Sequence, residues 1–308
     1  MIQHDRQDQP YDELLVVCGP PRSGTTWLQR ELCSVPGAFR FMPECSLVTQ
    51  QVELYHRTAH HCDPQRFAAY FGDREFLRAY CRDNIARLID RAALLNHSEN
   101  ARTLILKDPC LCLYLEDLVE VLPTHRLIVL VRNPLDVIAS MKAVTGRRKE
   151  KWRINSVARE LLQYYLQINR HAARSDLGCL FLRYEDVVTG NRHALSGILE
   201  GIGLTDHVAT DMDTIAAKLD ASDPFFSEHY LRATTSERIG AYRKTLSLFE
   251  IVLIETMYAN IMRDWNYQDP PDSASRRIAG SLAVSLKAAV RFYRSGLDKV
   301  RHPKGSQD

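Results

Sequence analysis

The sequence has no long apolar run, no excess of charge of either sign and no paired-cysteine motif. No stretch of its 308 residues approaches the roughly 18 uninterrupted apolar residues that a membrane-spanning helix needs. The N-terminal segment MIQHDRQDQPYDE has no apolar core, so it does not read as a secretory signal, and a cytoplasmic location is expected. Lys plus Arg number 40 against 38 Asp plus Glu, a formal net charge of +2. A general nucleic-acid binder would carry a strong basic excess, so that partner class is excluded. Any anion site must therefore come from local placement of charge. The eight cysteines are Cys18, Cys33, Cys45, Cys62, Cys81, Cys110, Cys112 and Cys179, with no C-x-x-C among them. That spacing suits neither a zinc ribbon nor a disulfide scaffold, and free thiols are expected.

What the sequence does have is short apolar runs alternating with helical patterns. Leu14-Leu15-Val16-Val17-Cys18, Leu104-Ile105-Leu106, Leu127 to Val131 and Cys179 to Leu182 read as four buried strands. Helical spacing follows each, most clearly over 111–122 and 134–143. This alternation predicts an α/β fold of three layers, a central mainly parallel sheet flanked by helices. A helical insertion over about 47–97 separates the first two strands. It holds His56, His60 and His61 at helical spacing, but no carboxylate or Cys completes a convincing ligand set, so they read as solvated helix histidines and no metal is assigned. Asp108-Pro109 and Asn133-Pro134 each place a polar cap before a proline, so two helices are expected to start directly at strand ends. In an open α/β sheet those ends border the ligand crevice.

The first strand runs into Gly19-Pro20-Pro21-Arg22-Ser23-Gly24-Thr25-Thr26. This is the G-x-x-x-x-G spacing of a P-loop, whose backbone N–H groups nest around phosphate oxygens, with Thr25 and Thr26 as added donors. The lysine that a kinase places after the second glycine is replaced by Thr25, and the loop's cation is Arg22. Such a loop suits a single phosphate bearing a transferable group better than a metal-bound triphosphate.

Pro21–Leu28 (PRSGTTWL) resembles the 5′-phosphosulfate loop of sulfotransferases that use 3′-phosphoadenosine-5′-phosphosulfate (PAPS). A second segment, Val131-Arg132-Asn133-Pro134 onward to Ser140, resembles that family's 3′-phosphate element. There Arg132 would supply a guanidinium fork and Ser140 a hydroxyl; the alternative is that Arg132 pairs with Asp136 and Ser140 simply packs. The resemblance covers roughly residues 12–268, within a single domain taken as 1–268, with 269–308 as a linker and basic amphipathic terminal helix. It implies PAPS as co-substrate, PAP as product, and a hydroxyl or amine acceptor. Ser23, Gly24, Thr25 and Thr26 would hold phosphate, and Trp27 would stack on adenine or pack its helix. Tyr184 would lie near the base or cap the core. Gly240-Ala241-Tyr242-Arg243-Lys244 loosely resembles the basic loop that closes over PAPS, with Arg232, Arg238, Arg243 and Lys244 as its cations.

Many relatives take the acceptor proton with a His in a K-x-H segment, but here the segment is Lys107-Asp108-Pro109. It is similar to the subgroup that includes protein-tyrosine sulfotransferases, which places a catalytic Glu some twenty residues past the loop. That implies Glu44 as general base, with Lys107 and Arg22 stabilising charge; otherwise Glu44 would pair with Arg22 or Arg40. Partial burial beside Phe41 and Met42 is expected to raise its basicity. A P-loop small-molecule kinase and an inactive sulfotransferase-like binding protein are the competing readings. The acceptor, whether small molecule, glycan or lipid, and the oligomeric state stay open. In the tail, Ile278, Leu282, Leu286, Val290, Tyr293 and Leu297 make one helical stripe with Lys287, Arg291, Arg294 and Arg301 opposite. That stripe would dock on the domain or rest peripherally on an anionic membrane.

Overall fold

A computed structural model of the chain describes residues 9–96, 100–123, 125–172, 174, 178–189 and 238–267. The four apolar runs form β1 (Glu13–Cys18), β2 (Thr103–Lys107), β3 (Arg126–Val131) and β4 (Cys179–Arg183). They make one sheet in the order β2-β1-β3-β4. Every pairing is parallel, with Val16 opposite Leu106 on one side and Leu127 on the other, and Val129 opposite Phe181.

Strands with uninterrupted apolar sequence need cover on both faces. Leu14, Val16, Leu104, Leu106, Leu127 and Val129 turn to the larger core, while Leu15, Val17, Ile105, Ile128 and Leu130 turn to a smaller one. The smaller core is closed by Leu28 and Leu32 of α1 (Thr25–Cys33) and by Tyr184. β4 departs from the expected buried strand. It is an edge strand whose residues are only partly covered, with Leu180 exposed, because nothing pairs beyond it among the described residues.

The insertion is three helices, α2 (Ser46–His61), α3 (Pro64–Tyr70) and α4 (Arg74–Leu95). Asp63 and Asp73 cap the last two by accepting from Arg66 N and Phe76 N. In α4, Leu77, Cys81, Ile85, Ile89 and Ala93 recur every four residues and form its buried stripe. The helix expected over 111–122 is in fact two pieces. A 3-10 turn over Pro109–Tyr114 is wound tightly from Asp108, whose side chain accepts from Cys110 N, and α5 (Leu115–Val121) follows. α6 (Pro134–Arg147) starts where predicted, with Asn133 accepting from Leu135 N. α7 (Ile154–Ala172) and the short α8 (Tyr184–Thr189) complete the described cover before residue 190.

A later helix, Leu248–Met257, is tied to α6 through Glu250. Its carboxylate accepts from Lys142 Nζ at 2.7 Å, Trp152 Nε1 at 2.6 Å and the Ser247 hydroxyl and N–H in a capping box. Burial pushes this carboxyl up, but the donations from Lys142, Ser247 and Trp152 outweigh it and hold the pKa at about 2. A folded pKa below the ordinary 4.5 stabilises the protein above about pH 4.5, and that contribution is lost as pH falls towards 2. Glu250→Gln is therefore expected to cost on the order of 2–3 kcal/mol at pH 7. Denaturant unfolding of both forms should converge as pH falls to about 2 and below; a gap independent of pH would refute the linkage.

All eight cysteines are free thiols. No helix among the described residues is long and apolar enough to cross a membrane. The C-terminal stripe from Ile278 to Leu297 and the candidate cation Arg232 lie outside the described residues.

Candidate functional site

The chain leaves β1 to form β2 on one side and returns to form β3 on the other, so the order reverses at β1. Their carboxyl ends diverge at that switch point and open a crevice. The Gly19–Thr26 loop leaves β1 there, and Arg132 directly follows the last residue of β3 there.

The loop's glycines are dictated by close approach. Gly19 has φ +148°, and a Cβ on it would sit 2.2 Å from the Leu130 carbonyl oxygen of β3. Gly24 has φ +105°, and its Cβ would lie 2.8 Å from the Tyr184 ring. Arg22 also has positive φ (70°), which a non-glycine residue adopts only where its surroundings hold it. Gly19→Ala is expected to destabilise the fold by about 3 kcal/mol or more, because a backbone atom cannot move aside. Thermal unfolding would measure this, and a wild-type Tm would contradict the close approach.

Within the crevice the two resembling segments meet. Arg22 Nε donates to Ser140 Oγ at 3.3 Å, and Arg132 Nη1 donates to the Arg22 carbonyl at 3.3 Å. Arg132 Nη2 reaches the Arg238 carbonyl at 3.0 Å, and the guanidinium lies 4.4 Å over the Tyr184 ring. Trp27 meets the same ring edge-on at 6.0 Å. Three buried donors here, Ser23 Oγ, Arg132 Nε and Trp27 Nε1, have no hydrogen-bond partner among the described residues. Buried donors without acceptors are costly and so uncommon, and a pocket that gathers them suits an acceptor-rich anion. The residues thus fit a phosphate-bearing ligand.

Asp136 does not pair with Arg132. Its two oxygens accept from Gly240 N at 2.8 Å and Tyr242 N at 3.0 Å, tying the late basic loop to the start of α6. Burial raises the Asp136 carboxyl, and those two amide donations oppose it. The tether brings Arg238 and Gly240 to Arg132; Arg243 folds over the Tyr242 ring, its guanidinium 4.8 Å from the ring centroid. Glu185 performs a matching task on the other side, accepting from Asn133 N and from the Tyr267 hydroxyl. Neither tether was legible in sequence, since each joins segments 82 or more residues apart except for Asn133 to Glu185, 52 apart.

At the opposite wall Lys107, ending β2, is buried at 3% side-chain exposure. Its ammonium donates to Thr26 Oγ1 at 3.0 Å and to Glu44 Oε1 at 2.6 Å. The Glu44 segment is held there because Cys45 N donates to the Lys107 carbonyl. For Glu44 the alternative pairing is not the one seen, and the expected burial is corrected. Its partner is Lys107, not Arg22 or Arg40, because the loop crosses the end of β2. Its side chain is 54% exposed, so the burial expected beside Phe41 and Met42 is absent. Asp108 behaves as a cap, accepting from Cys110 N and from Thr49 Oγ1, with burial raising its carboxyl.

Elsewhere, folding supplies the carboxylate that the sequence did not offer to the histidine group. Asp117 of α5 faces both His56 and His60.

A model of the sulfotransferase family matches residues 15–207. No curated protein matches the chain. Among solved structures, a sulfotransferase domain of the Synechococcus PCC 7002 olefin synthase is 20% identical, covering 87% of this chain and 99% of that one, with a TM-score of 0.52. A sulfotransferase domain from the curacin biosynthetic pathway is 18% identical (89% and 98% covered, TM-score 0.45). A mouse sulfotransferase solved with PAP is 16% identical (88% and 91% covered, TM-score 0.43). The first of these supports the fold.

Proposed function

This chain belongs to the sulfotransferase family, and from that premise we propose that it moves a sulfuryl group from PAPS to an acceptor hydroxyl or amine and releases PAP. PAPS would supply an activated sulfuryl group on a phosphate leaving group. Ser23, Gly24, Thr25 and Thr26 would hold the 5′ side, and Arg132 with Ser140 the 3′-phosphate. Trp27 and Tyr184 would line the adenine, and the tethered loop with Arg243 and Lys244 would close over it.

The observation that carries this reading is the chain of contacts Thr26–Lys107–Glu44. It sets a carboxylate and a buried ammonium beside the hydroxyl rim of the anion loop. Glu44 takes the acceptor proton as the acceptor oxygen or nitrogen bonds to sulfur and the sulfur–oxygen bond to phosphate breaks in line. Lys107 and Arg22 face the oxygen on which the negative charge then collects. Beside a leaving phosphate, the Lys107 charge stabilises the transition state more than the ground state.

Transfer from labelled PAPS across phenols, sugars, lipids, amines and peptides tests the activity and finds the acceptor. Binding of PAP without Mg²⁺ separates the reading from a P-loop kinase, which would require the metal and a triphosphate. PAP binding without turnover on any acceptor class would leave an inactive binding protein instead.

A further inference from the structure

A second cluster of ligand-type side chains lies away from the crevice, on the contact between α2 and α5. His56 and His60 are one helical turn apart on α2, so their rings share a face. Their ring centroids are 4.9 Å apart. Both are aimed at Asp117. His56 Nδ1 is 2.8 Å from Oδ2, and His60 Nε2 is 3.1 Å from Oδ1. One ligand atom from each of the three residues lies within 4.8 Å of the others. Asp117 is 5% exposed, and its position is fixed by the helix it belongs to. The histidines face solvent on their outer side, which leaves an entry path.

We propose that His56, His60 and Asp117 bind one divalent transition-metal ion of zinc type, which braces the insertion helix α2 against α5. Two imidazole nitrogens and one carboxylate oxygen are ligands that zinc accepts, with a fourth place left for water. Tetrahedral zinc separates its ligand atoms by about 3.3 Å, which small ring rotations reach from the present spacing. Both histidines would then turn a lone pair inward in place of an N–H. The site also resolves a conflict at His60. Its Nε2 lies 3.1 Å from Asp117 Oδ1 and 3.5 Å from Arg74 Nη2. That nitrogen must donate to the carboxylate but accept from the guanidinium, and one tautomer cannot do both. Arg74 is exposed, so its guanidinium has solvent to swing into as the ion enters. The Tyr55 hydroxyl donates to Glu120 one turn away on the same pair of helices, so the brace would add to an existing contact. His61, whose ring is 5.4 Å from that of His56, is not in the ligand set.

The test uses the full, untagged chain stripped of metal and titrated with Zn²⁺ and with Co²⁺ as a spectroscopic probe. One Zn²⁺ per chain is expected, with a Tm raised by about 4 °C at a hundredfold excess over Kd. Co²⁺ should give visible d–d bands without the near-ultraviolet thiolate charge-transfer band that cysteine ligands would add. Removing a ligand should weaken binding at least about tenfold, both in Asp117→Asn and in the exposed His60→Ala, which is expected to keep the fold by circular dichroism. His61→Ala should bind as wild type. No stoichiometric binding, a thiolate band accounting for the Co²⁺ signal, or full affinity in His60→Ala would overturn the assignment.

Discussion

Glu44→Gln is expected to lower kcat by about 10²–10⁴, the range that a positioned general base supplies. Affinity for PAP should stay close to wild type, since Glu44 touches the anion loop only through Lys107. The carboxylate is more than half exposed. The substitution should therefore cost no more than about 1 kcal/mol of stability, as for other solvent-facing ion pairs. Single-turnover transfer from PAPS, with thermal unfolding as the control, checks this. Turnover within tenfold of wild type would remove Glu44 from the mechanism.

Lys107→Met should lower kcat by about 10²–10³, the cost of losing one preorganised charge at a developing anion. Methionine keeps most of the side-chain volume at a position that is almost fully covered. The readout that separates chemistry from packing is the split between kcat and KM. A loss in kcat with KM nearly unchanged assigns Lys107 to the transition state. A rise in KM alone would make it a ground-state phosphate ligand. Since Lys107 and Glu44 are in direct contact, Glu44→Gln with Lys107→Met should cost much less than the sum of the two. Full additivity would mean that they act on separate steps.

The crevice and its reagents differed in how far they could be seen in advance. The phosphate loop was legible because a tight turn between strand and helix imposes glycine spacing on neighbouring residues. The absent Walker lysine was equally legible, yet the cation that faces Thr26 comes from Lys107, 81 residues away. Glu44 could be singled out through a likeness of motifs, but its exposure and its partner could not. Those depend on where the loop after α1 crosses β2, which is set by the Cys45 to Lys107 backbone bond. Asp136 looked like a partner for Arg132 because the two are four residues apart. It serves instead a loop 104 residues further on, since the backbone amides of that loop offer two donations to one carboxylate.

The sequence by itself determined the four strands, their parallel arrangement, the two capped helix starts and the turn that carries the anion loop. Each of these follows from neighbouring residues: apolar runs too continuous for a half-exposed strand, prolines after short polar side chains, glycines at fixed intervals. Only the tertiary structure decided that Lys107 joins Thr26 to Glu44, that Asp136 tethers the Gly240 segment, that β4 is a partly exposed edge, and that Asp117 faces His56 and His60. These are meetings of side chains from segments far apart in the chain, and β4 is left at the edge by the order of the strands. Their geometry is fixed by strand order, register and helix packing, to which local periodicity is blind.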